Sequence, residues 1–120
     1  MPGSSSRLIF FWNNRSCYEI CLHLNLFQIP SKPEKILDAP DLLDDFYLHP
    51  LDWSCNNHLA VSLFDALYLW NAADGSIVEL VSKSSQNESA GNDEYISSVS
   101  WIKEGNILAV GDSQGAVGLW

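Results

Sequence analysis

The chain has 120 residues, of which 47% are hydrophobic, and a formal net charge of −9. This length fits one ordinary domain, and the composition is that of a globular protein. Lys83 and Lys103 are the only Lys or Arg residues after Lys35, so the excess of acidic residues lies in the part of the chain that follows Lys35. Binding to phosphates requires clustered basic residues, which argues against nucleic acid or an anionic membrane as a partner. The negative charge is compatible with a basic peptide as the partner. It is equally compatible with an acidic surface that contacts only solvent.

Residues 1–28 match no pattern and are left unassigned. The apolar run Leu8–Trp12 is too short for a signal peptide or a membrane span. Three cysteines, an odd number, without a secretion signal predict free thiols in a reducing compartment. Cys17, Cys21 and His23 could form half of a zinc site, but the rest of the chain offers no further ligands at finger-like spacing. We therefore expect no metal and no cofactor, and an apolar strand or helix over Tyr18–Phe27.

Residues 29–45 form an extended, proline-rich lead-in. Pro30, Pro33 and Pro40 fix their own backbone and push the preceding residues into extended conformations. Within this stretch only Lys35–Asp38 can pair as a strand, and an acidic turn follows before the chain reaches Phe46.

Residues 46–81 contain four segments of strand length that are separated by turn residues. Phe46 is expected to begin the first strand, which Pro50 confines to an edge or a bulge. Leu59–Val61 is apolar throughout, which predicts a strand that is covered on both faces. An Asp-Gly turn at residues 74–75 separates the third strand from a fourth at Ile77–Val81.

The same pattern returns after a polar loop at residues 82–94. Trp101 repeats Trp53, Leu108–Val110 repeats Leu59–Val61, and Leu119–Trp120 repeats Leu69–Trp70, at spacings of 48 to 50 residues. Four antiparallel strands per repeat, with Trp ending the third, indicate β-propeller blades. We predict an all-β fold, a partial WD40 β-propeller, with a first blade at 46–81 and an incomplete second blade at 95–120.

Four segments identify a family resemblance. They are Lys35–Pro40 (KILDAP), Asp44–Trp53 (DDFYLHPLDW), Leu67–Asn71 (LYLWN) and Glu94–Gly111 (EYISSVSWIKEGNILAVG). They resemble the Fizzy, or cell-division-cycle-20, family of WD-repeat activators of the anaphase-promoting complex. The resemblance runs from about Ile29 to Trp120 and favours the mitotic branch over the Fizzy-related branch.

The resemblance implies a seven-bladed propeller that holds substrate degrons against a ubiquitin ligase and performs no chemistry itself. The implied partners are subunits of the anaphase-promoting complex, destruction-box substrates such as cyclins and securin, and spindle-checkpoint proteins. The implied location is the nucleus and cytoplasm. The family's N-terminal docking box is absent from residues 1–28 and its terminal Ile-Arg tail is also absent, so the chain resembles a fragment of about two blades.

The resemblance assigns degron binding to Leu37 and Asp38. In the family these residues lie at the seam between the first and last blades, where the aspartate pairs with the arginine of the destruction box, Arg-x-x-Leu. A carboxylate can accept two parallel hydrogen bonds from a guanidinium, and an extended segment can hold an extended peptide. The alternative is that Asp38 only begins an Asp-Ala-Pro turn.

Two other functions remain open at this point. The chain could be a generic WD scaffold without a degron role. Catalysis would require His49, Asp52 and Ser54 to converge, which their positions along a strand do not favour, and no nucleophile or phosphate-loop motif is present.

With so few blades, we also expect the inner faces to be uncovered and the chain to be aggregation-prone. The residues expected to be exposed are Leu59, Val61, Val99, Leu108 and Val110.

Overall fold

The structure is a computed structural model that describes residues 6–10, 32–83 and 94–120. The chain divides into two compact units, Met1–Pro40 and Asp41–Trp120. The described residues form antiparallel β-sheets and contain no helix. The strands are β1 Ser6–Phe10, β2 Lys35–Ala39, β3 Leu51–Trp53, β4 His58–Leu63, β5 Ala66–Asn71, β6 Ile77–Ser82, β7 Ile96–Trp101, β8 Leu108–Asp112 and β9 Val117–Leu119. This confirms the all-β, WD40-type fold, in sheets that do not close into a ring.

The first unit is a two-stranded antiparallel sheet of β1 and β2. Its register runs from Ser6 opposite Ala39 to Phe10 opposite Lys35. Strand β2 lies between Pro33 and Pro40, which explains its short length because neither proline can donate to a ladder. Strand β2 confirms the strand that was expected at Lys35–Asp38. Its partner, Ser6–Phe10, comes from residues 1–28, where a strand or helix was expected only at Tyr18–Phe27.

The first blade is a four-stranded antiparallel sheet in the order β3-β4-β5-β6. Its hairpin between β4 and β5 turns through Phe64, whose φ of 58° lies in the left-handed region. Along one row of the sheet, Leu59 lies between Trp53 of β3 and Trp70 of β5. The two indole rings meet edge to face, with centroids 5.9 Å apart.

The second blade has the order β7-β8-β9 and repeats this row. Leu108 pairs with Trp101 on one side. On the other side Leu108 and Trp120 exchange two backbone hydrogen bonds of 2.9 Å. Trp101 and Trp120 therefore occupy the positions of Trp53 and Trp70, which confirms the repeat alignment read from the sequence.

The first strand of the first blade begins at Leu51, so the expectation that it begins at Phe46 is wrong. Asp45 caps a turn here, because its carboxylate accepts a hydrogen bond from the Tyr47 amide at 2.9 Å and its carbonyl accepts one from the Leu48 amide. His49 then pairs with the second blade, in a parallel bridge to Ser98. Pairing inside the first blade starts only at the carbonyl of Pro50.

The hydrophobic core is a layer between the two blades. It consists of Ala60, Leu67, Ile96, Val99, Leu108 and Val110. Leu59, Ala60 and Val61 are 1%, 0% and 7% exposed, so β4 is covered on both faces as the sequence predicted. A strand can be apolar on both faces only when something packs on each of them.

The expected exposure of Leu59, Val61, Val99, Leu108 and Val110 is wrong. All five side chains are buried. Val99, Leu108 and Val110 belong to the layer between the blades. Leu59 and Val61 lie on the opposite face of β4 from Ala60, where Leu59 is flanked by Trp53 and Trp70. The apolar side chains that are exposed lie instead at the outer strands and in one turn. They include Phe46, Tyr47, Ile77, Val78, Val117, Leu119 and Trp120.

Polar contacts fix the two blades at one end of this layer. The carboxylate of Asp52 accepts a hydrogen bond from the Trp53 amide at 3.0 Å and another from the Trp101 amide, in the second blade, at 2.6 Å. The Asn56 side-chain amide donates to the carbonyl oxygens of Glu104 and Gly105 at 3.4 and 3.1 Å. The bonds to Trp101, Glu104 and Gly105 cross between the blades, so the register of one sheet is tied to the other.

Gly105 permits the close approach of the two turns. Its φ is 74°, and a Cβ built there would lie 2.7 Å from the Cys55 sulfur and 2.9 Å from Nδ2 of Asn56. Gly75 has a similar φ of 78° but nothing within 4 Å of the corresponding point. The two glycines therefore share one backbone requirement and differ in packing.

Several expectations concern residues outside the described ranges. These are the zinc half-site of Cys17, Cys21 and His23, the apolar segment Tyr18–Phe27, and most of the polar loop at 82–94. They stay predictions, as do the blade boundaries expected around that loop.

Replacing Asp52 with Ala should weaken the contact between the blades. Two backbone amides would lose a charged acceptor, which is expected to lower the free energy of unfolding by about 1–3 kcal/mol. Urea unfolding followed by tryptophan fluorescence measures this change. Asp44→Ala, at an exposed position before the turn, is the control and should change stability by less than about 0.5 kcal/mol. Equal effects of the two substitutions would contradict the role given to Asp52.

Replacing Gly105 with Ala should destabilise the chain more than replacing Gly75 with Ala. Both substitutions carry the cost of a left-handed backbone, about 1 kcal/mol, but only the methyl group added by Gly105→Ala would also collide with the opposing turn. The difference between the two variants in urea unfolding therefore isolates the contact between the blades. If both variants lose the same stability, the turns do not pack as closely as described.

Candidate functional site

Strand β2 positions the two residues that the family resemblance assigns to degron binding. Because side chains alternate along a strand, Leu37 and Asp38 face opposite sides of β2. Leu37 is half-buried and Asp38 is exposed, whereas Ala39 is buried. The turn comes after the strand, at Pro40 and Asp41. Asp38 is therefore a strand residue, and the turn follows the strand; the assignment of Asp38 to degron binding stays a prediction.

In the pairing of β1 with β2, the residue opposite Asp38 is basic. Arg7 of β1 stands opposite Asp38, and Leu8 stands opposite Leu37. Strand β2 is thus paired along one edge with an antiparallel extended segment, in which an arginine is in register with Asp38. Backbone pairing of this kind is how a strand holds an extended peptide, while alternate side chains supply specificity.

The three residues weighed for catalysis have structural roles. Asp52 is occupied by the two backbone amides of Trp53 and Trp101. Ser54 is 3% exposed, and its hydroxyl accepts hydrogen bonds from the amides of Asn56 and His58 at 3.2 and 3.1 Å. The His49 backbone pairs with β7. The Asp52 carboxylate and the Ser54 hydroxyl therefore serve as acceptors for backbone amides.

One surface pair was not singled out in the sequence. The Tyr68 hydroxyl on β5 donates a hydrogen bond to Glu79 of β6 at 3.1 Å. This bond to the carboxylate, together with desolvation, raises the pKa of Tyr68 above its ordinary value. The pair depends on the register between two strands and on a bulge between Leu67 and Tyr68, so the sequence alone carries no signal for it.

A groove of about 310 Å³ lies between the blades at the end away from Asp52. Val81, Ile96 and Trp120 are among its apolar lining residues. Lys83 forms ion pairs there with Asp112 and, at 3.9 Å, with Glu94. The hydrogen bond from Lys83 holds the pKa of Asp112 below its ordinary value, with further help from the amides of Ala116 and Gln114. The groove is therefore closed on its polar side by an ion pair between the blades.

The described residues contain no group of three or more His, Cys, Asp or Glu side chains that could hold a metal ion. Cys55, which is among them, is a free and exposed thiol. Within the same part of the chain, no helix is long and apolar enough to cross a membrane.

Comparisons with known proteins agree on one family. The anaphase-promoting complex subunit cdc20 of Dictyostelium discoideum is 47% identical over 93 residues, covering 78% of this chain and 17% of that protein. The meiotic fizzy-related protein 1 of Schizosaccharomyces pombe is 44% identical over 91 residues, covering 76% of this chain and 20% of that protein. The chain belongs to the Cdc20 and Fizzy-related family. No family model matches the chain.

A solved structure places the same fold in a larger assembly. A chain of the crystal structure of the mitotic checkpoint complex superposes with a TM-score of 0.64 at 40% sequence identity. The match covers 73% of this chain and 25% of that one. The chain thus spans a fifth or less of the length of the curated relatives named above and a quarter of the solved chain.

The branch within the Cdc20 and Fizzy-related family stays a prediction. Identity is 47% to the Dictyostelium cdc20 protein but 40% to the Arabidopsis cell division cycle 20.5 protein. Fizzy-related proteins 1, 2 and 3 of Arabidopsis fall between 40% and 44%. These ranges overlap, so identity over two blades does not separate the branches.

The ion pair of Lys83 predicts how stability depends on pH. Because the pKa of Asp112 is lowered on folding, its contribution is complete above the unfolded value of about 3.8. The contribution is lost as the pH falls through the lower, folded value. We expect the urea midpoint of the native chain to fall in this range. In Asp112→Asn the midpoint should already be lower at neutral pH and should fall less on acidification; parallel pH profiles would contradict the pairing.

Proposed function

We propose that the chain recognises the destruction-box motif, Arg-x-x-Leu, and serves as part of a degron receptor for the anaphase-promoting complex. The observation that carries this proposal is the exposed carboxylate of Asp38 on an extended strand, next to a half-buried Leu37. A guanidinium can approach such a carboxylate in the plane of its two oxygens and form two hydrogen bonds.

The pairing of β2 supports the same conclusion. An arginine-containing peptide must lie extended to place its arginine and leucine on a common receptor, and the pairing of β2 with β1 is an example of an extended segment held in this way. A peptide that uses the same edge of β2 would take the place of β1. The acidic balance of the chain, with a net charge of −9, also favours a basic ligand over an acidic one.

The relatives support the assignment to the cell cycle. One is named a subunit of the anaphase-promoting complex, and others are named Fizzy-related or cell cycle switch proteins. None of these names describes an enzyme, in keeping with a recognition role and not a catalytic one. The proposed partners are subunits of the ligase, destruction-box substrates such as cyclins and securin, and proteins of the mitotic checkpoint complex. The proposed location is the nucleus and cytoplasm.

Replacing Asp38 should weaken peptide binding. A fluorescent peptide with one Arg-x-x-Leu motif is titrated with the native chain and with Asp38→Ala, and binding is followed by fluorescence anisotropy. The loss of one charge-assisted pair is expected to cost about 1–3 kcal/mol, or roughly a fivefold to 150-fold increase in Kd. Asp44→Ala, also an exposed aspartate, should leave Kd unchanged.

Two further measurements make this test specific. A peptide with Ala in place of its Arg should bind the native chain and Asp38→Ala equally weakly, because the pair is already broken. The same substitution is also made in the Dictyostelium cdc20 protein with residues 29–120 of this chain exchanged into it, which supplies the rest of the propeller. An Arg-dependent affinity that ignores position 38 in both proteins would remove Asp38 from the site. No binding by either protein would favour a generic WD scaffold.

A further inference from the structure

Strand β1 has the sequence pattern of the ligand proposed for β2. It reads Ser-Arg-Leu-Ile-Phe, so Arg7 is followed three positions later by the apolar residue Phe10. The motif Arg-x-x-Leu has the same form, an arginine followed three positions later by an apolar residue. The chain therefore carries a segment that resembles the proposed degron, and this segment is the one that pairs with β2.

The register of the sheet places this segment as such a ligand would lie. Arg7 is opposite Asp38 and Phe10 is opposite Lys35, in antiparallel pairing. Opposite positions of an antiparallel pair share a face, and successive positions of a strand alternate between the two faces. Position 7 is thus on the face of Asp38, whereas position 10 is on the face of Leu37. An Arg-x-x-Leu peptide with its arginine opposite Asp38 would likewise have its leucine on the face of Leu37.

Strand β1 and a peptide bound at the same edge of β2 exclude each other. The edge of a strand has one row of backbone N–H and C=O groups, and these groups form a ladder with one neighbouring strand at a time. The pairing with β1 extends along the whole of Lys35–Ala39. A peptide can therefore use this edge only after β1 has left it.

We propose that β1 is an internal pseudosubstrate, which occupies the degron-binding edge of β2 and competes with an Arg-x-x-Leu peptide for it. This inference rests on the degron recognition proposed above. An isolated two-stranded sheet is only marginally stable in water, so a ligand can displace β1. The pairing therefore weakens degron binding without abolishing it.

The strength of this inhibition depends on how often β1 is paired. A ligand that binds only the open form has an apparent Kd equal to its intrinsic Kd divided by the open fraction. If about one molecule in ten is open, the apparent Kd of the native chain is about tenfold above the intrinsic value. A change that releases β1 recovers this factor, and a change that fixes β1 in place increases it.

Release of β1 is tested with Arg7→Ala in the full chain. The substitution removes the residue in register with Asp38 and leaves β2 unchanged. A fluorescent Arg-x-x-Leu peptide, followed by anisotropy, should therefore bind more tightly than to the native chain, by up to about tenfold. Arg15→Ala is the matched control, because it removes the same charge from the N-terminal part of the chain but lies outside β1. Its Kd should equal that of the native chain.

Retention of β1 is tested with a disulfide between positions 9 and 36, which are opposite each other in the register. Opposite residues of an antiparallel pair have Cα atoms about 4.5–5.5 Å apart, which is within disulfide range. Ile9→Cys and Ile36→Cys are combined in a chain whose three native cysteines are replaced by Ser. Ile36 is 53% exposed, so its replacement leaves no cavity in a core. Mass spectrometry of the oxidised protein shows whether the disulfide forms.

The oxidised double variant should bind the peptide at least about tenfold more weakly than the same protein after reduction, because the disulfide prevents β1 from leaving. Ile9→Cys alone, in the same background, is the control. Its affinity for the peptide should be equal before and after reduction.

Three results would overturn the pseudosubstrate role alone. They are the absence of a disulfide between positions 9 and 36, an oxidised double variant that binds as tightly as the reduced one, and an Arg7→Ala variant that binds no more tightly than the native chain. In each case, peptide binding that is weakened by Asp38→Ala would leave degron recognition standing. Absence of peptide binding by every variant, oxidised or reduced, would instead overturn degron recognition and the pseudosubstrate role with it.

Discussion

Ala60, Leu67, Val99 and Val110 meet in one apolar layer, and the two blades depend on it. Each sheet of a blade has an apolar face that it cannot bury alone, which is the general constraint on repeat architectures. Here β4 and β7 supply the two sides of the layer, and the face of β4 that carries Ala60 is covered by the second blade. Neither sheet would keep this arrangement without the other.

The polar contacts turn this layer into a defined arrangement. Apolar packing tolerates sliding, whereas hydrogen bonds at 2.6 to 3.1 Å do not. Asp52 and Asn56 reach from the first blade to backbone groups of the second, and Gly105 removes the side chain that would keep their turns apart. At the other end, Lys83 and Asp112 join the blades by charge. These contacts explain why a carboxylate and a serine that could suggest catalysis are instead part of the framework.

The candidate degron site depends on a general property of extended strands. An extended strand can accept another strand through its backbone groups, and its side chains decide which one. Strand β2 presents a carboxylate and therefore favours a basic segment. The exposed residue that supplies this carboxylate is Asp38. The name of one relative, a subunit of the anaphase-promoting complex, is in keeping with the proposed recognition role.

The sequence by itself determined the repeat, the all-β fold and the family. Trp53, Trp101 and their accompanying apolar runs recur at nearly constant spacing, and the alternation within a strand depends only on local chain geometry. The candidate residues Leu37 and Asp38 were likewise found from a local motif. The tertiary structure decided which apolar residues are buried, where the first strand begins and what stands opposite Asp38. Those properties depend on contacts between residues far apart in the chain. Periodicity identifies the apolar face of a strand, but it does not show which sheet will cover that face.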